Sequence, residues 1–232
     1  MRFILKSSIL ISLMSGFACT GLISGCSKDQ YRTAHMMLQA GDFLSARKIY
    51  NRIVDRNPAD FEGQYGLGMT WCAEAIYKTE LGLAEPDDWY PAIYHVSLGA
   101  NIRNGEEVRK TLAVLHFNLG ACYRKAGNTT DAIERIEQAL EYDSTLTKAL
   151  NLLGAMYHEE GNLEKAEDCY LHVVELHPDY ALAFFNLGAV AWAKDDFPSA
   201  QRDFSQALSL DPGNEYYKMW LSRAAERTRS RK

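Results

Sequence analysis

The sequence predicts an all-α fold of stacked helical pairs, and three observations carry that prediction. The first is a 34-residue period through the second half of the chain. Leu119-Gly120, Leu153-Gly154 and Leu187-Gly188 stand one period apart, and Ala132, Ala166 and Ala200 keep the same step. The second is apolar spacing of three and four, as in Leu150, Leu153, Gly154 and Tyr157 and then Leu163, Ala166, Tyr170 and Val173. That is the stripe of a helix that buries one side. The third is punctuation. Gly127-Asn128 and Gly161-Asn162 fall between the two helices of a pair, where glycine accepts a left-handed end, and Pro178 and Pro212 stop the second helix. Units repeating at this period bury their apolar faces on their neighbours rather than around one centre.

Before the repeats comes a leader. Arg2 and Lys6 make a short positive start, no charge follows until Lys28, and the run from Ile9 to Met14 is strongly apolar. This reads as an export signal over residues 1–25. Its end, Ile23-Ser24-Gly25-Cys26, resembles the bacterial lipobox, an aliphatic residue, two small ones and a cysteine. The resemblance implies cleavage before Cys26 and lipidation of that cysteine. Two or three acyl chains make a stable anchor at ~0.8 kcal/mol per buried methylene. Ser27 after the cysteine implies sorting to the outer membrane, facing the periplasm, in a Gram-negative cell. Cys19 lacks the aliphatic residue and fits poorly. Two other readings of the leader stay open: a retained membrane helix, since the uncharged run 7–27 is long enough to span a bilayer, and plain secretion. Cys72, Cys122 and Cys169 would remain, an odd number inside helical patterns, and buried free thiols are expected.

The repeats themselves resemble the tetratricopeptide repeat (TPR) family, whose motif runs Trp-x2-Leu-Gly-x2-Tyr, then Ala-x3-Phe, then Pro. The match is close at 147–180 and 181–214 and good at 113–146, where Ser144 replaces the proline. Residues 27–112 hold two divergent units. The first keeps Gly41-Asp42-Phe43, Ala46, Tyr50 and Pro58. The second begins with Leu67-Gly68 and Trp71, then carries an insertion near 80–91, with Ala92, Val96 and Gly99 expected on its delayed second helix and Asp88 as the cap of a helix starting at Trp89. Glu106 to Lys125 has no breaker but Gly120, so the next first helix is expected to start early. Residues 215–232 read as a capping helix, through Tyr217, Leu221 and Ala225, with a basic tail. The resemblance implies a right-handed superhelix of about five helix-turn-helix units plus the cap.

In this family ligands lie on the first helix of each unit. The resemblance places Phe117, Asn118 and Arg124, then Asn151 and His158, then Phe185, Asn186 and Trp192, then Trp220 of the cap, on that peptide-binding groove. Ala121, Ala155 and Ala189 would keep its floor open. The same aromatics also fit packing between units or under the cap. The charged clamp with which the family grips a C-terminal carboxylate is not expected, because Phe117, Ala121 and Leu152 stand where cations are needed. The insertion, with Tyr77, Trp89, Tyr90 and Tyr94, is a second candidate surface or a packed cover.

Catalytic signals are weak. There is no phosphate loop; Gly66-Leu67-Gly68 lies in a repeat helix. His158-Glu159-Glu160 has Asn162 where a zinc protease needs its second histidine, and Cys169, His172 and His177 make a poor metal set. The net charge of −5 argues against nucleic acid. The expectation is therefore a non-enzymatic, cofactor-free and metal-free scaffold in the bacterial cell envelope. It would bind a segment of an envelope protein in outer-membrane, pilus, secretion or cell-wall assembly. The alternatives are a self-associating structural lipoprotein and the same scaffold on a retained membrane helix.

Overall fold

The computed structural model describes residues 25–230. The leader at 1–24, the side chain of Cys26, and Arg231 and Lys232 of the basic tail lie outside the described residues. Eleven α-helices and one 3-10 turn make up the described fold, without a strand. They form two compact units, divided between Asp143 and Ser144. The first holds α1 (Gly25–Gln39), α2 (Phe43–Arg56), α3 (Phe61–Glu80), α4 (Tyr90–Ile102), α5 (Glu106–Lys125) and α6 (Thr129–Tyr142). The second holds α7 (Thr147–Glu159), α8 (Leu163–Leu176), α9 (Ala181–Ala193), α10 (Phe197–Leu210) and α11 (Glu215–Ser230). No helix among the described residues is long and apolar enough to cross a membrane.

Four helical pairs turn on the same two-residue device. The first residue is left-handed: Gly41, Gly127, Gly161 or Asp195. The second, Asp42, Asn128, Asn162 or Asp196, sends its backbone N–H back to the finished helix, as Asn162 does to the Tyr157 carbonyl at 2.8 Å. Its side chain then accepts from a backbone N–H three residues on, at Ser45, Asp131, Lys165 or Ser199. One residue thus closes a helix and caps the next. Beyond the turn the pair packs tightly. A Cβ on Gly188 would stand 2.6 Å from the Phe204 ring, and one on Gly120 would meet Ile136 at 2.6 Å. Only glycine lets these helices meet so closely.

The irregular pair obeys different rules. Its first helix, α3, runs for 20 residues where α7 and α9 run for 13. It gains its extra length at the C-terminal end. The next first helix, α5, also runs for 20 residues, but its extra turns lie at the N-terminal end, before 113. The two helices lie side by side in the same direction. Tyr65 and Thr111 hydroxyls bond at 2.8 Å near their starts, and the Cys122 thiol reaches the Ala84 carbonyl at 3.4 Å near their ends. Between them α4 packs on α3, with the Val96 side chain and the Ala92 carbonyl set against Gly68.

The inserted segment is a packed strap. Trp89 is 2% exposed and joins the core of the first unit. Asp88 does not cap a helix beginning at Trp89. It closes the 3-10 turn Pro86–Asp88, accepting from the Glu85 N–H at 2.9 Å and from Lys78. Helix α4 begins at Tyr90 without a side-chain cap, because Trp89 must turn inward first. The terminal helix α11 buries Tyr217 and Ala224, with Leu221 half-buried. Its buried stripe runs through Ala224 rather than the neighbouring Ala225, keeping a step of seven from Tyr217.

Candidate peptide-binding faces

Each face is built from first helices, and the two units differ. In the first unit α5 keeps the face and α3 does not: on α5 Phe117, Asn118, Ala121 and Arg124 are half-buried. Aligning Leu67-Gly68 with Leu119-Gly120 sets Tyr65, Met69 and Cys72 of α3 opposite Phe117, Ala121 and Arg124. Those three are 1–3% exposed. Helix α3 is apolar almost all round, as a helix enclosed on every side must be. Its would-be ligand positions are core, and no ligand reaches them.

In the second unit Asn151 and His158 share one face of α7, seven residues apart. Asn151 donates its amide to the Thr147 carbonyl at 3.0 Å, while its Oδ1 is buried without a hydrogen-bond partner. The Nε2 of His158 is buried and unpartnered too. Leaving such groups unpaired costs about 1–3 kcal/mol each. On α9 Asn186 is half-buried, and Ala155 and Ala189 keep the surface low between larger neighbours.

The aromatics are shared with the cap. Phe185 stacks on Tyr217 with ring centroids 5.0 Å apart and touches Phe204 at 5.2 Å. Trp192 meets Phe197 edge-on at 5.0 Å and Trp220 at 5.4 Å. Trp220 also lies under the Arg223 guanidinium at 5.1 Å, and its indole N–H is buried without a partner. Phe185, Trp192 and Trp220 thus pack with Ala200, Phe204 and Ala224 in one cluster that fixes α11. One half-buried side of each remains for a ligand. Both uses were open in the sequence, because helical spacing assigns a face and not what covers it.

The ionisable groups do not assemble into chemistry. Burial pushes the Cys72 thiol up to about 12, which makes it inert. Cys72, Cys122 and Cys169 are free thiols. Burial, helped by the Arg135 charge, lowers His116 to about 4. Among the described residues no cluster of three His, Cys, Asp or Glu could hold a metal ion.

Tetratricopeptide-repeat models match residues 113–146 and residues 144–212. These residues are tetratricopeptide repeats. Human Tetratricopeptide repeat protein 6 is 34% identical over 236 residues, covering 92% of this chain. Human Protein O-mannosyl-transferase TMTC1 is 31% identical over 109 residues. A UDP-N-acetylglucosamine–peptide N-acetylglucosaminyltransferase of Giardia intestinalis (strain ATCC 50803 / WB clone C6) is 30% identical over 109 residues. The chain spans only 42%, 12% and 7% of those three proteins, and the two transferase matches cover less than half of this chain. They carry no inference about transfer chemistry. Among solved structures, MamA protein matches with a TM-score of 0.54 at 20% identity, over 82% of this chain and 94% of its own. YrrB, described as a TPR protein with an unusual peptide-binding site, matches with a TM-score of 0.52 at 18% identity, over 85% and 90%. At such identities the likeness is one of fold alone.

Proposed function

We propose that this chain is a lipid-anchored TPR scaffold that holds an extended or helical segment of another cell-envelope protein. The observation that carries the binding role is the face on α7 and α9. Half-buried Asn151 and His158 on α7, and half-buried Asn186, Phe185 and Trp192 on α9, make it up. Amide and imidazole side chains on one face with rigid aromatics suit a backbone with apolar side chains. YrrB, whose fold is alike, is itself described as having a peptide-binding site. The lipobox-like Ile23-Ser24-Gly25-Cys26 supports the anchor, and Ser27 supports a place on the outer membrane, facing the periplasm.

The test has two arms. Metabolic labelling with a tagged fatty acid should mark the wild type and not Cys26→Ala; an unlabelled wild type removes the anchor. A pull-down from detergent-solubilised envelope should capture a protein that Asn151→Ala/Asn186→Ala binds at least about tenfold more weakly, a loss of about 1.4 kcal/mol. Neither asparagine belongs to the aromatic cluster, so the variant should keep its helicity. Undiminished capture by the double variant moves the binding site elsewhere.

A further inference from the structure

At four turns the residue after the left-handed position is a polar cap: Asp42, Asn128, Asn162 and Asp196. At the fifth, after α3, it is Leu83, which is 66% exposed, and Leu81 on the other side of Gly82 is 54% exposed. The loop that bears them is fixed. The Leu83 N–H bonds the Lys78 carbonyl at 2.8 Å. From α5, Lys125 Nζ reaches the Gly82 carbonyl and the Cys122 thiol the Ala84 carbonyl, each at 3.4 Å. Two leucines held on an ordered backbone lose little entropy when they dock. Exposed carboxylates of Glu80, Glu85 and Asp87 surround them. Of the cations nearby, Lys78 pairs with Asp88 and Lys125 faces the loop backbone.

A surface of opposite character lies on α11. Tyr216, Met219, Arg223 and Arg227 follow one another at steps of three and four, on one stripe. All four are exposed. The Arg223 guanidinium sits over the Trp220 ring at 5.1 Å and that of Arg227 over Phe197 at 5.2 Å, which orients both. One surface offers two apolar side chains ringed by carboxylates; the other offers two apolar side chains beside two guanidinium groups.

We propose that the chain associates head to tail with a second copy of itself, the loop at 81–87 of one copy docking on the Tyr216–Arg227 stripe of the next. The two surfaces differ, so the contact is heterologous, and one contact between two copies leaves one loop and one stripe open. This does not depend on capture of another protein, and its readout needs none.

Light scattering and sedimentation of the full chain in dilute detergent should show a mass that rises with concentration above the monomer. Raising the salt from about 0.05 to about 0.5 M should lower it. Glu80→Lys/Asp87→Lys and Arg223→Glu/Arg227→Glu, each checked for unchanged helicity, should weaken association at least about tenfold through like-charge repulsion. Mixing the two variants pairs a cationic loop with an anionic helix and an original loop with an original helix, and should restore it. Leu81→Ser/Leu83→Ser should also weaken it about tenfold. A wild type that stays monomeric to about 1 mM overturns the proposal, as does a mixture no stronger than either variant or an unaffected serine variant.

Discussion

At the scale of single residues, the two-residue turn is where sequence and conformation meet most directly. Gly127-Asn128 and Gly161-Asn162 are readable because glycine is the residue that takes a positive φ without cost. The third copy has Asp195, and the chain makes the same turn there with φ of 59°. An aspartate tolerates this conformation better than most side chains, yet its Cβ still crowds the backbone. Asp195→Gly should therefore stabilise the second unit, by about 0.5–1 kcal/mol, with the gain reduced by glycine's extra freedom in the unfolded chain. Thermal unfolding of the two proteins measures it, and a lower midpoint for the glycine variant would show that Asp195 contributes more through its contacts than its backbone costs. Other residue roles were not legible in this way. That Phe185, Trp192 and Trp220 share one cluster under α11 depends on neighbours that a period cannot name.

At the scale of elements, helix identity followed from spacing, while helix length followed only in part. Nothing in Trp71–Glu80 or Glu106–Leu112 breaks a helix, and nothing demands one. What extends both is mutual packing. The added turns of α3 project beyond a normal pair, and the strap bearing Trp89 folds back between α3 and α5 to cover them. The early start of α5 was readable from the absence of a breaker. The closing of the ligand positions on α3 was readable only from its nearly unbroken apolar circumference, Tyr65 to Ile76, once the 34-residue register is set aside. If the strap is core, Trp89→Ala should cost about 3–5 kcal/mol and expose the Cys72 thiol to alkylation in the native protein. A loss below about 1 kcal/mol in denaturant titration would mean that the strap merely lies on the surface.

At the scale of the whole molecule, the charge that matters for stability is the one the fold refuses to accept. His116, 7% exposed, stacks on Tyr142 at 5.5 Å and has no partner for Nδ1. Burial first and the Arg135 charge second lower it from 6.5 to about 4. Burial lowers His35 and His95 in the same direction. The folded histidine thus binds its proton later than the unfolded one. Above pH 6.5 neither form holds it and stability is full. Between about 6.5 and 4 the unfolded chain is protonated while the folded chain resists, so stability falls with pH. Below about 4 the histidine contribution levels off, and Asp42, Asp88 and Asp196, whose carboxyls are held below their usual range by hydrogen bonds, begin to lose theirs. At 1.36 kcal/mol per unit, His116 alone accounts for a loss on the order of 2–3 kcal/mol between pH 7 and pH 4. Urea midpoints across this range should fall for the wild type and flatten in His116→Gln, whose amide does not titrate. The variant also loses the ring stack on Tyr142, so its midpoint at pH 7 should start lower. The informative quantity is the slope: equal slopes in the two proteins would assign the acid sensitivity to other groups.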